Sequence, residues 1–367
     1  MKKQQTSSAG KKVVALTNEK SGVFVHALRG ILQAIPERSQ AILEARFGIN
    51  HHKAKTLEEI GGEYGITRER VRQIICSALH ALVRHHENQA EGGHIEKIIQ
   101  TELSQSSGVL KAETLLKNLS AGDQQEHGAL LAFLECLPYA SSLKANELHE
   151  KIYFVESFSY TLWKKVLDRV KEILQSTGQP LSKKKLFELY SENVPEKLKI
   201  TEATLFDFLA ISKEVQSNVF GKWGLYEWSD IKPRGTREKA YLILKNEKKP
   251  LHFRDIATMI DESGLHTKRS KSHPQTVHNE LIKDSRFVLV GRGIYALADW
   301  GYIAGTVKDV IVRILKEKGK GMTKEEIIEA VLAVRQVKPT TIAINLNTFF
   351  TKTPAGLYTA GLSEKKK

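Results

Sequence analysis

Cysteine is scarce in this chain, and long apolar runs are missing. The 367 residues include two cysteines, Cys76 and Cys136, and neither belongs to a CxxC pair, so the sequence predicts no structural zinc site and no disulfide framework. Because no run of 18 apolar residues occurs, no transmembrane helix is expected. The basic, polar N-terminus lacks the apolar stretch of a secretory signal. We therefore predict a cytoplasmic protein whose residues 1–23 form a disordered basic arm.

Motifs of catalysis and of cofactor binding are missing as well. The sequence contains no HExxH or GxSxG motif, and the Gly-rich segment at 291–293 lacks the lysine and the following helix of a phosphate loop. The adjacent histidines His51–His52 and His85–His86 are poor joint metal ligands, because neighbouring side chains on a helix point apart. The sequence therefore predicts no enzymatic activity, no cofactor and no metal site.

Positive charge is abundant and unevenly placed. The formal net charge is +14, and the pI is near 9.5. Residues 1–231 hold 30 Lys/Arg against 28 Asp/Glu, whereas residues 232–367 hold 26 against 14. A basic surface can simply keep a protein soluble, but the concentration of this excess in one segment favours a polyanionic partner, most often nucleic acid.

The segment at residues 24–49 has the apolar spacing of two helices that Pro36 separates. Gly48 is placed to end the second helix in a left-handed conformation. A polar loop is expected at 50–55, before the next apolar pattern begins. The segment thus predicts a helical pair that precedes a further, more specific motif.

That motif is a helix-turn-helix at residues 56–74. Thr56 and Glu59 have the spacing of a capping box, which starts a helix. Gly61 permits the close crossing of two helices, Gly65 accepts the positive φ of a tight turn, and Thr67 caps the second helix. The apolar side chains expected to join the two helices are Leu57, Ile60, Ile66, Val71 and Ile74.

The outward face of the second helix carries the residues predicted to bind DNA. They are Thr67, Arg68, Glu69, Arg70, Arg72 and Gln73. The N-terminal half of such a helix enters the major groove, where Arg can bond to guanine, Gln to adenine and Glu to cytosine. The alternative is a solvent-exposed helix whose charged side chains pair with one another at i,i+4 spacing.

The stretch PERSQAILEARFGI, followed by TLEEIGGEYGITRERVRQI and SALHAL, resembles region 4 of the sigma-70 family of bacterial transcription initiation factors. In that family the domain reads the −35 promoter element, and its preceding helices seat it on the flap of the RNA polymerase β subunit. The resemblance, over about residues 28–84, implies that Arg68, Glu69 and Gln73 contact bases. It implies that the other three predicted DNA-binding residues mostly hold phosphates.

The resemblance also concerns the helices that support the flap contact. The residues in that half, most of which are expected in the core, are Leu28, Ile31, Leu32, Ile42 and Phe47. The short stretch before the resemblance does not look like the upstream domains of sigma factors. A complete sigma factor is therefore not expected.

A weak internal repeat follows residue 94. Three Gly-aromatic strand signals, at 221–228, 291–297 and 354–360, each follow two amphipathic helices, and their GLY or GIY triplets are spaced by 69 and 63 residues. The order of helix, helix, longer connection, helix and apolar hairpin is that of a winged helix. A more worn copy is expected at 108–158.

We therefore predict a mainly α protein with short β-hairpin wings, in which a sigma-type helix-turn-helix is followed by tandem winged-helix domains. The predicted domains are a basic arm at 1–23, the helix-turn-helix domain at 24–90, a degenerate winged helix at 95–160, winged helices at 161–231, 232–303 and 304–361, and a basic tail at 362–367.

A second, weaker resemblance covers residues 232–301. The segments PLHFRDIATMI, HPQTVHNELIK and GRGIYAL are similar to the HARE winged-helix domain, which occurs in the RNA polymerase δ subunit, in restriction systems and in eukaryotic chromatin proteins. The resemblance implies DNA or polymerase binding and no catalysis. The acidic tail of δ-like proteins is replaced here by the basic GLSEKKK.

These patterns predict a DNA-binding transcription factor that reads a promoter element in double-stranded DNA and contacts bacterial RNA polymerase at its β flap, without a membrane. An alternative is a polymerase-associated interaction protein whose winged helices bind protein. A further alternative is the DNA-targeting component of a restriction or modification system. The oligomeric state does not follow from the sequence.

Overall fold

The computed structural model describes residues 22–49, 53–86, 90–136, 140–265, 271–335 and 337–362. Within these residues the chain is mainly helical, with short antiparallel strands, as predicted. Nearly all of the predicted N-terminal arm and basic tail, and also His51 and His52, lie outside the described residues. No described helix has both the length and the apolarity that crossing a membrane requires.

The chain divides into two compact units. The first comprises residues 1–179 and 184–216, and the second comprises residues 180–183 and 217–367. The predicted domain at 161–231 therefore contributes residues to both units. The domain boundaries given above stay predictions.

The first unit begins with four helices, which are α1 Val23–Leu32, α2 Glu37–Phe47, α3 Leu57–Tyr64 and α4 Arg68–His86. The helical pair predicted at 24–49 is thus present. Gly48 ends α2 with a φ of 69°, the left-handed conformation that the sequence predicts.

The next elements of this unit have the order of a winged helix. They are α5 Ala90–Gln105, β1 Val109–Lys111, α6 Ala112–Ser120, α7 Gln124–Cys136, β2 Ser141–Leu143 and β3 Ile152–Phe154. Strand β3 pairs antiparallel with both β1 and β2, so the sheet order is β1-β3-β2. Helix α5 begins within the polar segment in which the first domain boundary was expected.

A second set of elements repeats this order along the chain. It consists of α8 Tyr160–Thr177, β4 Leu181–Ser182, α9 Lys183–Asn193, a 3-10 turn at Glu196–Leu198, α10 Glu202–Ile211, β5 Val215–Ser217 and β6 Lys222–Leu225. Strand β6 pairs antiparallel with β4 and contains the first of the three predicted Gly-aromatic strand signals.

The second unit holds two further copies. The elements of the third copy are α11 Thr236–Glu247, β7 Leu251–His252, α12 Phe253–Glu262, α13 Pro274–Lys283, β8 Phe287–Gly291, β9 Ile294–Leu297 and a 3-10 turn at Ala298–Trp300. Those of the fourth are α14 Val307–Lys318, α15 Lys324–Val334, α16 Pro339–Phe349, β10 Phe350–Lys352 and β11 Tyr358–Leu362. Both copies have their own apolar core.

A single apolar core joins the helix-turn-helix to the winged helix that follows it. This core contains Phe24 and Phe47 from α1 and α2, together with Leu130 and Phe133 from α7. At Gly128 in α7 a Cβ would lie far inside contact distance of the Phe47 carbonyl oxygen, so only glycine permits this approach. Helix α7 is therefore packed directly against α1 and α2.

The carboxylate of Glu126 also binds α7 to α1. Its two oxygens accept hydrogen bonds from the backbone N–H groups of Phe24, at 3.0 Å, and Val25, at 2.8 Å. These groups belong to the first turn of α1, where N–H groups have no partner within the helix. Glu126 is 3% exposed, and burial raises the pKa of its carboxyl although the two hydrogen bonds oppose that rise.

We expect the stability of this unit to respond to pH through Glu126. Because the pKa of Glu126 in the folded protein is raised above its ordinary value of 4.5, the folded unit binds this proton more tightly than the unfolded chain does. The stability that this effect contributes is fully present below pH 4.5 and is lost as the pH rises through the raised pKa. Urea unfolding of the wild type and of Glu126→Gln at several pH values measures it.

The free energy of unfolding of the wild type should rise relative to that of Glu126→Gln as the pH falls from about 8 to about 5. Glu135→Gln, at an exposed position of the same helix, is the matched control. Parallel pH profiles for the wild type and Glu126→Gln would show that the burial of this carboxyl has no energetic consequence.

Candidate nucleic-acid interface

The helix-turn-helix begins with the predicted capping box. The Thr56 hydroxyl oxygen accepts a hydrogen bond from the Glu59 N–H at 3.3 Å, and the Glu59 carboxylate accepts one from the Thr56 N–H at 2.7 Å. These bonds satisfy N–H groups at the start of α3 and hold the pKa of Glu59 below its ordinary value. Helix α3 ends at Gly65, whose φ of 64° is left-handed, as predicted.

Gly61 determines how closely α3 approaches the turn. A Cβ at this position would lie 2.8 Å from the carbonyl oxygen of Ile66, a backbone atom that cannot move without moving the turn. At the neighbouring Gly62 no atom lies within 4 Å of the corresponding position. The prediction that Gly61 is the small residue of the crossing is therefore confirmed.

The apolar side chains predicted to join α3 and α4 do so. Ile60 and Val71 are completely buried in the core of the first unit. Leu57, Ile66 and Ile74 are partly buried and pack against the same core. This packing leaves the opposite side of α4 to solvent.

All six residues predicted to bind DNA are exposed at the N-terminal end of α4. The Thr67 hydroxyl oxygen accepts a hydrogen bond from the Arg70 N–H at 3.2 Å, so Thr67 caps the helix as predicted. The other five residues fall within the first two turns. The structure thus places them on one accessible end of a rigid helix, which is the part that enters a major groove in helix-turn-helix proteins.

Four of these side chains bond to one another within α4. The Arg72 Nη2 atom lies 2.7 Å from a Glu69 carboxylate oxygen, and the Arg70 Nη1 atom donates to the Gln73 side-chain oxygen at 3.2 Å. The hydrogen bond from Arg72 lowers the pKa of Glu69, and the same bond raises the pKa of Arg72. The pairs have i,i+3 spacing, whereas the alternative reading of the sequence expected i,i+4.

The residues that the resemblance places near the flap contact belong to the core. Leu28, Leu32, Ile42 and Phe47 are all at most 4% exposed. The side chain of Ile31 is outside the described set. These apolar residues therefore stabilise the domain and are not a free surface.

A second polar helix face, which the sequence did not single out, lies in the third winged helix. His273 caps α13 by accepting a hydrogen bond from the Gln275 N–H, and Pro274 occupies the first turn. The exposed polar residues of this helix are Gln275, Thr276, Asn279 and Lys283. The His-Pro pair at a helix start is the signal that could have found this face, because proline favours the first helical position.

Carboxylates neutralise several cations in this winged helix. Arg237 pairs with Glu280 at 2.6 Å, and Arg286 pairs with Asp284 at 2.6 Å. Both carboxyls have a lowered pKa because these arginines bond to them. The basic character of this domain is therefore weaker at α13 than its composition suggests.

Metal-binding chemistry finds no support in the described part of the chain. Among those residues, no group of three or more His, Cys, Asp or Glu side chains is placed to hold a metal ion. Cys76 is a free, partly buried thiol in α4, 3.9 Å from the Arg72 Nη1 atom. His85 and His86 end α4, and their side chains are outside the described set.

We expect Gly61→Ala to lower the free energy of unfolding by about 1–3 kcal/mol, because the added methyl group must displace the turn. Gly62→Ala is the matched control. It adds a methyl group to open space in the same helix, and Ala stabilises a helix relative to Gly by about 0.5–1 kcal/mol. Urea unfolding followed by circular dichroism measures both changes, and equal effects of the two substitutions would contradict the role of Gly61.

Comparison with known proteins matches residues 31–84 to the family model of sigma-70, region 4. Residues 235–300 match the HARE-HTH model, which describes a helix-turn-helix domain of ASXL and restriction endonuclease proteins. Both resemblances noted in the sequence are thereby confirmed. Both matched domains are helix-turn-helix types that suggest DNA binding.

Curated relatives match the first of these segments. An RNA polymerase sigma factor SigA of Bacillus sp is 45% identical over 58 residues, which are 16% of this chain and 15% of that protein. An RNA polymerase sigma factor SigA of Clostridium acetobutylicum is 47% identical over 55 residues, which are 15% of this chain and 14% of that protein. The chain thus spans about a seventh of the length of these relatives, and it is similar to them in region 4.

Proposed function

We propose that this chain is a DNA-binding transcription factor that reads a promoter element with α4 and contacts RNA polymerase during initiation. The observation that carries the proposal is the set of exposed side chains at the start of α4, on a helix-turn-helix that matches sigma-70 region 4. The relatives similar to this segment are named RNA polymerase sigma factors. By resemblance, the element would be of the −35 type.

In this proposal the side chains of α4 divide the work of recognition. Arg68, Glu69 and Gln73 contact base edges in the major groove, where the pattern of donors and acceptors differs between base pairs. Thr67, Arg70 and Arg72 hold phosphates, which fixes the position of the helix on the duplex. The pairs within α4 do not oppose this, because exposed ion pairs contribute little stability and exchange readily for a phosphate.

The polymerase contact would use the exposed side of α1 and α2. Because the apolar residues of these helices are buried in the core, the contact falls to their polar surface residues. The exposed residues available are His26, Arg29, Gln33, Glu37 and Arg38. The β flap remains the proposed partner of this surface, by resemblance to region 4.

The interaction-protein alternative has one observation in its favour. Helix α7 occupies the recognition position of the first winged helix, yet it is packed into the core of the unit. A winged helix in this state does not use that helix to bind DNA. Under this alternative the full chain would bind RNA polymerase without preference for any duplex sequence.

We expect Arg68→Ala to weaken binding to the preferred duplex by about 1–3 kcal/mol and to relax the base preference at one position. The preferred sequence comes from selection of bound duplexes from a random pool by the full chain. Arg29→Ala removes the same charge from an exposed position on α1 and is the matched control. Equal weakening on all duplexes by Arg68→Ala would show that Arg68 holds a phosphate and does not read a base.

The same selection separates the two functions. Recovery of a defined sequence that resembles a −35 element supports promoter reading. If the pool yields no preferred sequence while the full chain still captures purified RNA polymerase, the interaction-protein alternative holds. Retention of the selected sequence preference by Arg68→Ala would instead contradict the assignment of this residue to the bases.

A further inference from the structure

The third helices of the winged-helix copies differ in how far the protein covers them. In α7 the exposed residues among the described side chains are Gln124, His127 and Glu135. The stretch between them is mostly buried, and at Gly128 the Phe47 carbonyl group leaves no space for a side chain. Helix α7 therefore cannot enter a DNA groove.

Helix α10 of the second copy is also covered within the first unit. Five of its ten residues are buried, namely Leu205, Phe206, Phe208, Leu209 and Ile211. The Trp163 indole N–H donates to the Phe208 carbonyl oxygen at 2.9 Å, and the Ser107 hydroxyl donates to the Asp207 carboxylate at 2.7 Å. These contacts occupy the sides of the helix that a groove would need.

Helix α16 of the fourth copy is open by comparison. Only Ile342 and Leu346 are buried in it. Its exposed residues are Pro339, Thr340, Thr341, Ile344, Asn347 and Thr348. Ile344 is 64% exposed, which is unusual for a large apolar side chain in a helix that already has a buried stripe.

The charge around α16 is of one sign. No Asp or Glu occurs between residues 337 and 362, which include α16 and the β10–β11 hairpin. Lys338 immediately precedes α16 and Lys352 ends β10, and both are exposed. The acidic residues of this copy lie in α14 and α15 instead. Unlike α13, this helix has no carboxylate of its own to neutralise a neighbouring cation.

We propose that α16 and the β10–β11 hairpin form a second contact with duplex DNA. The surface is defined by Lys338, Thr340, Thr341, Ile344 and Lys352. Lysines and hydroxyl groups suit phosphate oxygens, and an exposed aliphatic side chain suits the methyl group of thymine. Because α16 contains no Arg or Gln, phosphate contacts dominate here and sequence preference stays with α4. The proposal rests on the DNA-binding function proposed above.

The test compares the full chain with the double variant Lys338→Ala/Lys352→Ala. Each phosphate contact that is lost lowers the steepness of the salt dependence by about one unit, so we expect the slope of log affinity against log salt to fall by about two. The measurement uses duplexes of random sequence and repeats on the selected sequence. Circular dichroism melting of each variant verifies that it is folded.

The matched control is Lys199→Ala/Lys222→Ala. Lys199 precedes α10 and Lys222 lies in β6, so the control removes the same charge from similar positions of the copy whose third helix is covered. Its salt slope should equal that of the wild type. A fall of equal size in both variants would mean that net charge alone acts, and it would overturn the proposal.

The outcomes distinguish this proposal from the function on which it rests. If Arg68→Ala changes base preference while Lys338→Ala/Lys352→Ala leaves the slope unchanged, promoter reading stands and the second contact is wrong. If the wild type binds no duplex, both fail. If the double variant lowers the slope and retains the selected sequence, both are supported.

Discussion

The packing of α7 against α1 and α2 is the interaction on which the first unit depends. A four-helix segment of region 4 type is small, and small domains bury a modest fraction of their apolar surface. Here the aromatic residues of α1 and α2 are completed by those of α7, and Glu126 satisfies the free N–H groups at the start of α1. The helices that support α4 are thereby held in place by residues that lie well beyond it in the chain.

The same order of elements supports two different uses of a winged helix. Whether the third helix can bind DNA depends on how much of its circumference is apolar. In α7 the run Gly128–Leu134 is buried or partly buried throughout, so the helix serves as packing. In α16 two buried residues, four positions apart, make a single narrow stripe, and the remaining surface is largely polar. The fold alone therefore does not determine the function of each copy.

Local rules predicted the recognition motif and the wing strands. The capping box at Thr56, the crossing at Gly61 and the turn at Gly65 each depend on neighbours within a few residues, so they can be read from the sequence. The partner of Glu126 lies about a hundred residues away, and no local pattern reports such a contact. The polar segment near residue 90 was likewise misleading, because helix α5 starts there and α5 packs into the shared core.

Under the proposed function, selectivity and affinity come from different parts of the chain. Residues 1–231, which include α4, are close to neutral, whereas residues 232–367 carry nearly all of the excess positive charge. Phosphate neutralisation supplies most of the free energy of non-specific binding, and base contacts supply discrimination. A helix that reads bases from a nearly neutral domain binds weakly by itself. The basic winged helices therefore supply the affinity that the reading helix lacks, and salt acts mainly on them.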